Sequence, residues 1–183
     1  MWGEVGECGS SNPLVEFDNN CCNSGDLIMP SFKGQYEHSV DNKGRVSFPA
    51  KLRKALSPQA QERFTILRGL EPCLYLYPED EWQKVEDQLA QINSFTKEGR
   101  TVKRNFLRFA EDLSLDNQNR IPLPSQLTDW AGIDGKAIFI GSGERIEIWS
   151  PEKLEEVDSG LDFESYQELF ERVMGDDDNH DQE

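Results

Sequence analysis

Two twelve-residue stretches carry the side chains best suited to chemistry, DNKGRVSFPAKL at 41–52 and DNQNRIPLPSQL at 116–127. Each opens with an aspartate and holds an arginine four residues later, Asp41 with Arg45 and Asp116 with Arg120. A guanidinium offers five N–H donors in a planar fork, so it suits a carboxylate, a phosphate or the edge of guanine. In one reading the arginine only bridges to its own aspartate across a turn, a surface contact worth about 0–1 kcal/mol. In the other the aspartate orients an arginine that reads a base, where a bidentate pair discriminates by about 1–3 kcal/mol. The two readings are compatible, and spacing alone does not separate them. The first stretch with the two residues after it adds Lys43, Lys51, Arg53 and Lys54, whereas the second, likewise extended, has Gln118, Gln126, Thr128 and Asp129 at the matching positions. Lys and Arg displace counterions from nucleic acid, with a log–log salt slope of about −0.9 per phosphate. The first stretch is therefore the expected DNA face. The second is expected to complete the fold and the contacts between copies, leaving Arg120 structural.

The elements that hold these residues repeat. At an offset of 75, Ser39, Asp41, Asn42, Arg45, Pro49 and Leu52 match Ser114, Asp116, Asn117, Arg120, Pro124 and Leu127. Further on, Tyr77-Pro78-Glu79 corresponds to Ser150-Pro151-Glu152 at an offset of 73. A match spread over two segments implies two copies of a unit of about fifty residues. In each, alternating residues (Tyr36, His38, Val40; Leu113, Leu115) predict a half-buried strand. Asp-Asn-Lys-Gly at 41–44 then has the chemistry of a type I turn closed by a left-handed residue, as in a three-residue hairpin with a bulge. Asn119 stands where Gly44 does, and asparagine tolerates that conformation. Beyond the turn Val46 and Phe48 should point inward, and Arg45 and Ser47 outward.

Pro49 and Pro124 suit a helix start. A hairpin follows in each copy, FTILRGLEPCLYLY and AIFIGSGERIEIW, and Ser150-Pro151 begins another helix. Between the copies, Trp82, Val85, Leu89 and Ile92 predict an amphipathic helix. A second helix around 98–109 should bury Val102, Phe106 and Phe109 and expose Arg100, Lys103, Arg104 and Arg108. That basic face reads first as solvated or paired with Glu86 and Asp87, and second as a phosphate contact. One unit is too small to bury its sheet alone, so two in tandem should close a shared barrel about a pseudo-twofold axis. The expected class is α+β, mainly β.

The formal net charge is −16, but it is uneven. Residues 1–31 hold five acids and no Lys or Arg, residues 32–68 hold eight bases against three acids, and residues 144–183 hold fifteen acids against three bases. Since salt screens charges beyond roughly 8–10 Å, the local sign matters more than the total. No run approaches the ~20 apolar residues of a membrane helix, and no secretory signal opens the chain. Cys8, Cys21, Cys22 and Cys73 lack disulfide or zinc spacing and read as incidental thiols in a reducing cytosol. An enzyme is poorly supported. The histidines are His38 and His180, no phosphate loop or nucleophile–base pair appears, and no metal or other cofactor is expected. An acidic protein-interaction scaffold is the stronger rival; it predicts no salt-sensitive DNA binding. Met29 is a candidate alternative start. Leu161, Phe163, Tyr166, Leu169 and Phe170 lie on an expected C-terminal helix that binds a partner or competes with DNA.

Over roughly residues 32–157, the tandem strand–DxxxR–strand–P–helix units, with FKGQYEHSVDNKGRVSFPAKLR and ERIEIWSPEKLEE, resemble the MraZ family. These are bacterial proteins with two SpoVT-AbrB-type domains, encoded with cell-division and cell-wall genes. The resemblance implies a swapped-hairpin β-barrel and ring-shaped homo-oligomers. It also implies a cytoplasmic, nucleoid-associated regulator that binds short direct DNA repeats upstream of its own operon, as a repressor. The family's contact motif maps onto Asp41–Arg45 and Asp116–Arg120, so the candidate DNA-binding residues are Asp41, Lys43, Arg45, Lys51, Arg53, Lys54, Asp116 and Arg120. The organisation expected is a disordered extension (1–31), a first domain (35–83), a helical connector (84–109), a second domain (110–153), a C-terminal helix (154–174) and an acidic tail (175–183).

Overall fold

The repeat in the sequence becomes a repeat in space. A computed structural model describes residues 31–175. The extension and the acidic tail, and with them Cys8, Cys21, Cys22 and His180, lie outside the described residues, which include only the boundary residues 31 and 175 of those segments. The first copy runs β1 (Phe32–Ser39), β2 (Arg45–Ser47), α1 (Ala50–Lys54), β3 (Arg63–Arg68), β4 (Leu74–Pro78), α2 (Glu79–Gln91) and α3 (Lys97–Leu107). The second runs β5 (Glu111–Ser114), β6 (Arg120–Pro122), α4 (Ser125–Ala131), β7 (Lys136–Gly143), β8 (Arg145–Trp149), α5 (Pro151–Asp158) and α6 (Phe163–Gly175).

The copies exchange strands. A six-stranded antiparallel sheet has the order β1-β7-β8-β4-β3-β5, and β2 pairs with β6 in a separate ribbon. The order reads the same from either end when the copies are interchanged, which is the signature of a pseudo-twofold axis. The first strand of each copy lies on the third strand of the other, Tyr36 opposite Phe139 and Phe64 opposite Leu113. The approach of β1 to β7 is close. A Cβ on Gly141 would lie 2.3 Å from the Lys33 nitrogen, so only glycine fits.

Both predicted hairpins form, β3 with β4 and β7 with β8. The predicted β1–β2 hairpin reaches no further than one bridge, Val40 with Val46. The expected barrel is also corrected, because the large sheet is open at β1 and β5. Pro49 and Pro124, which lack an N–H, start the helices after β2 and β6. Those strands stop at three residues and pair with each other, β2 adding the single bridge to Val40. Helices hold more of the described residues than strands do, so the class is mixed α and β rather than mainly β.

β4 lies inside the sheet and is buried along its whole length. Leu74 and Leu76 join a core of both copies that includes Phe48, Leu52, Phe64, Ile121, Leu127 and Phe139. Tyr75 and Tyr77 face the opposite side, where Trp82, Ile138 and Trp149 pack. Full burial of such side chains stabilises the fold by about 1.5–3 kcal/mol each. Cys73 is free and buried there, and burial, reinforced by Glu147 and Glu71, pushes its thiol up to about 12. The α2 and α3 helices meet through Trp82 stacked on Phe106, ring centroids 6.3 Å apart. Val102, expected inside α3, is half exposed, and α3 meets the core instead through Phe106 near its C-terminal end. The C-terminal region forms two helices, with Asp162 accepting from the Ser165 N–H (2.7 Å) at the start of α6. Among the described residues no helix is long and apolar enough to cross a membrane.

Candidate nucleic-acid interface

Each Asp-x-x-x-Arg loop is held by its own aspartate. In the first, Asp41 Oδ1 accepts from the backbone N–H groups of Lys43 and Arg45, both at 2.9 Å, and Oδ2 accepts from Arg45 Nε (2.9 Å) and Nη2 (2.8 Å). In the second, Asp116 Oδ1 accepts from Gln118 N (2.8 Å) and Arg120 N (2.9 Å), and Oδ2 from Arg120 Nε (2.9 Å) and Nη2 (2.7 Å). The turn closes at Gly44, φ 71°, and at Asn119, φ 55°, as the sequence predicts. The arginine side-chain bonds, followed by the arginine backbone N–H, lower both carboxyls from 3.8 to about 2. Each aspartate takes two of the five guanidinium donors, through Nε and Nη2, and leaves Nη1 outside that pair.

The ribbon joins the two loops. Val46 lies opposite Ile121, and both are fully buried, so Arg45, Ser47, Arg120 and Pro122 share the outer face. Backbone bonds run across it, from Phe48 N to Asn119 O (2.9 Å) and from Leu123 N to Gly44 O (2.8 Å). Arg120 Nη1 approaches Asp41 Oδ2 at 3.7 Å, which places Arg120 between two carboxylates. Its side chain is 23% exposed, against 30% for Arg45. The four charges form one connected surface group.

One residue of the basic helix start, Arg53, reaches the opposite loop. Arg53 on α1 donates through Nη1 to Asn119 Oδ1 at 2.8 Å and lies 3.7 Å from Glu62. Lys51 sits over the Tyr36 ring, 5.9 Å from its centroid, and Lys54 is exposed. In the other half, Thr128 occupies the place equivalent to Arg53, and its hydroxyl donates to Ser125 O within its own helix (3.0 Å). Loop one thus has Lys43 beside it, while loop two has Gln118 but gains Arg53 from the first copy. Packing of the two copies thus brings one cation of copy one, Arg53, to loop two.

Of the eight residues expected from sequence, the structure connects Asp41, Arg45, Asp116 and Arg120 in one group and sets Arg53 at Asn119 beside it; sequence reasoning missed the crossing contacts of Arg53 and Arg120. A signal was present in the pairing of differences. Asn119 with Arg53 replaces Gly44 with Thr128, so a longer partner appears on both sides at once. The second basic cluster, on α3, makes no ion pair with Glu86 or Asp87; Arg100 donates to Ser94 O (3.1 Å) and Phe95 O (2.8 Å), and Lys103 to Ser94 Oγ (3.0 Å). Among the described residues no cluster of three or more His, Cys, Asp or Glu side chains could hold a metal ion.

The family model for the MraZ protein matches the chain twice, over residues 31–105 and 106–177. A protein named "Transcriptional regulator MraZ" from Syntrophomonas wolfei is 40% identical over 143 residues, 78% of this chain and 96% of that protein. Proteins of the same name from Caldanaerobacter subterraneus and Alkaliphilus oremlandii are each 41% identical, over 140 and 142 residues. These alignments cover 76% and 78% of this chain, and 94% and 96% of the respective relatives.

Proposed function

The chain belongs to the MraZ family, and from that premise we propose that it is a transcriptional regulator, not an enzyme, whose two Asp-x-x-x-Arg loops grip double-stranded DNA together. The names of its relatives support the regulatory role. The observation that carries the loop assignment is the single outward surface on which Arg45 and Arg120 lie, tied by the 3.7 Å contact of Arg120 with Asp41 and by Arg53 at Asn119. Each aspartate fixes one edge of its guanidinium, so the arginine reaches DNA with little rotamer freedom left to lose. The remaining donors meet a guanine edge or a phosphate, and Lys43, Lys51 and Lys54 add backbone contacts that position without reading sequence.

The finer reading follows the family. The protein binds short direct repeats upstream of its own cell-division and cell-wall operon, as a repressor, in the cytoplasm at the nucleoid. Residues 35–83 and 110–153 act as its two domains, with 84–109 connecting them. One ribbon per copy is a small contact, so a ring of copies that places many ribbons at fixed spacing gains affinity through effective concentration.

A gel-shift titration on the chain's own upstream region, at two salt concentrations, tests this. Retardation that weakens steeply with salt and is lost in Arg45→Ala is expected. No retardation of any upstream fragment in dilute buffer would leave the acidic scaffold as the better account.

A further inference from the structure

Phe109, at the junction of α3 and β5, has two arginines against its ring. The guanidinium of Arg68 lies 3.4 Å from the ring centroid and that of Arg108 lies 4.6 Å from it. Arg68 also lies 4.7 Å from the ring of Trp130, which is exposed near the end of α4. The Arg68 Nε is buried and has no hydrogen-bond partner. The fold itself does not call for this stack. Under the pseudo-twofold, Arg68, Phe109 and Trp130 correspond to Gly141, Gly34 and Ala55, so the other end of the sheet has two opposed glycines instead.

From Arg108 the positive surface continues along α3. Arg100, Lys103, Arg104 and Arg108 line an open trough of about 470 Å³ with Leu107 and Ser94. None of these four, nor Arg68, has a carboxylate partner among the described residues, although the chain holds 35 acids against 19 bases. Glu86 lines the adjoining hollow and forms no ion pair with them. Neighbouring cations left without acids repel one another, and a bound anion relieves that cost. Guanidinium planes held against aromatic rings keep their N–H edges for the paired hydrogen bonds that phosphate accepts.

We propose that this tract is a second DNA site, which holds phosphates of the duplex flanking the sequence gripped by the two loops. The inference rests on that proposed grip. An open trough suits a polymer backbone, because a small ligand needs a pocket that buries most of its surface. Continuity with the ribbon selects DNA over an acidic peptide. Phe109 packs on the core that holds Val46 and Ile121 of the ribbon, and β5 runs from it directly to the Asp116 loop. Asp116 lies eight residues after Arg108, no more than about 28 Å of chain. One duplex turn is about 34 Å long, so a single turn of flanking DNA covers that span. These contacts hold the backbone and read no sequence.

Two duplexes test the tract, one trimmed to the footprinted sequence of the retarded upstream fragment and one extended by a turn of unrelated sequence on each side. The unaltered chain should bind the extended duplex about tenfold more tightly, with a salt slope steeper by about 1.8 for two further phosphates. Arg104→Gln with Arg108→Gln, both exposed, should remove that gain. The same variant should bind the trimmed duplex within about twofold of the unaltered chain, because its loops are intact. Arg68→Gln should remove part of the gain, and an unchanged gain would take Arg68 out of the site. The proposal is overturned if the unaltered chain gains nothing from the flanks, or if the paired variant keeps the gain. Equal weakening on both duplexes would also overturn it, since loss of diffuse charge acts on both alike. The loop reading fails separately, if Arg45→Ala binds the trimmed duplex like the unaltered chain.

Discussion

The two loops of the ribbon have the same internal hydrogen bonds and different neighbours. Loop one is flanked by its own Lys43 and closed by a glycine; loop two has Gln118 and an asparagine, and takes Arg53 from the other copy. Assigned copy by copy, the cations leave loop two inert. Assigned by position, one α1 cation, Arg53, stands at that loop, where it donates to Asn119. The pseudo-twofold keeps the geometry of the loops equal while the sequence divides the labour of charge between the copies.

The strongest way to break this comparison is to remove both arginines. Arg45→Ala with Arg120→Ala should abolish specific binding. Each single change should cost about 1–3 kcal/mol of operator affinity, as for a bidentate contact, with the two losses alike. Titration calorimetry on one duplex decides it; an unaffected Arg120→Ala would return that residue to a purely structural role. A smaller effect comes from Lys51→Gln, Arg53→Gln and Lys54→Gln together. The salt slope of binding should drop by up to about 0.9 for each phosphate no longer engaged. An unchanged slope would place α1 away from the duplex.

Closing the loops with different residues gives a third contrast. Gly44→Ala forces a Cβ into the left-handed region and to 3.1 Å from Leu123 O, and should destabilise the chain by about 1–2 kcal/mol in chemical denaturation. Asn119→Gly should change stability by less, while removing the partner of Arg53. The smallest effect is in pH. Both aspartates titrate at about 2 in the folded chain against an ordinary 3.8. Their contribution to stability is therefore whole above about pH 4 and is lost as pH falls from there through 2. Carboxyl NMR should show the two titrating together near 2. A value near 3.8 for one alone would mean that its loop is open in solution.

Much of this was legible in the sequence. The turns at 41–44 and 116–119, the β3–β4 and β7–β8 hairpins and the start of α5 at Ser150 each depend on neighbours in the chain. The partner of β1 does not. Local signals favour a hairpin with β2, but β2 has only three residues before Pro49, and β7 offers β1 eight paired positions. The same exchange hid the contact of Arg53 with Asn119, which spans 66 residues. Val102 was misplaced because helical periodicity gives a face without saying which turns of it meet the core.

The central claim is that both loops touch one duplex, and photo-crosslinking tests it most directly. Lys43 and Gln118 occupy the same exposed place in their loops. With p-benzoylphenylalanine replacing either residue in turn, both proteins should crosslink to the operator in similar yield. Crosslinking from position 43 with none from position 118 would contradict the account.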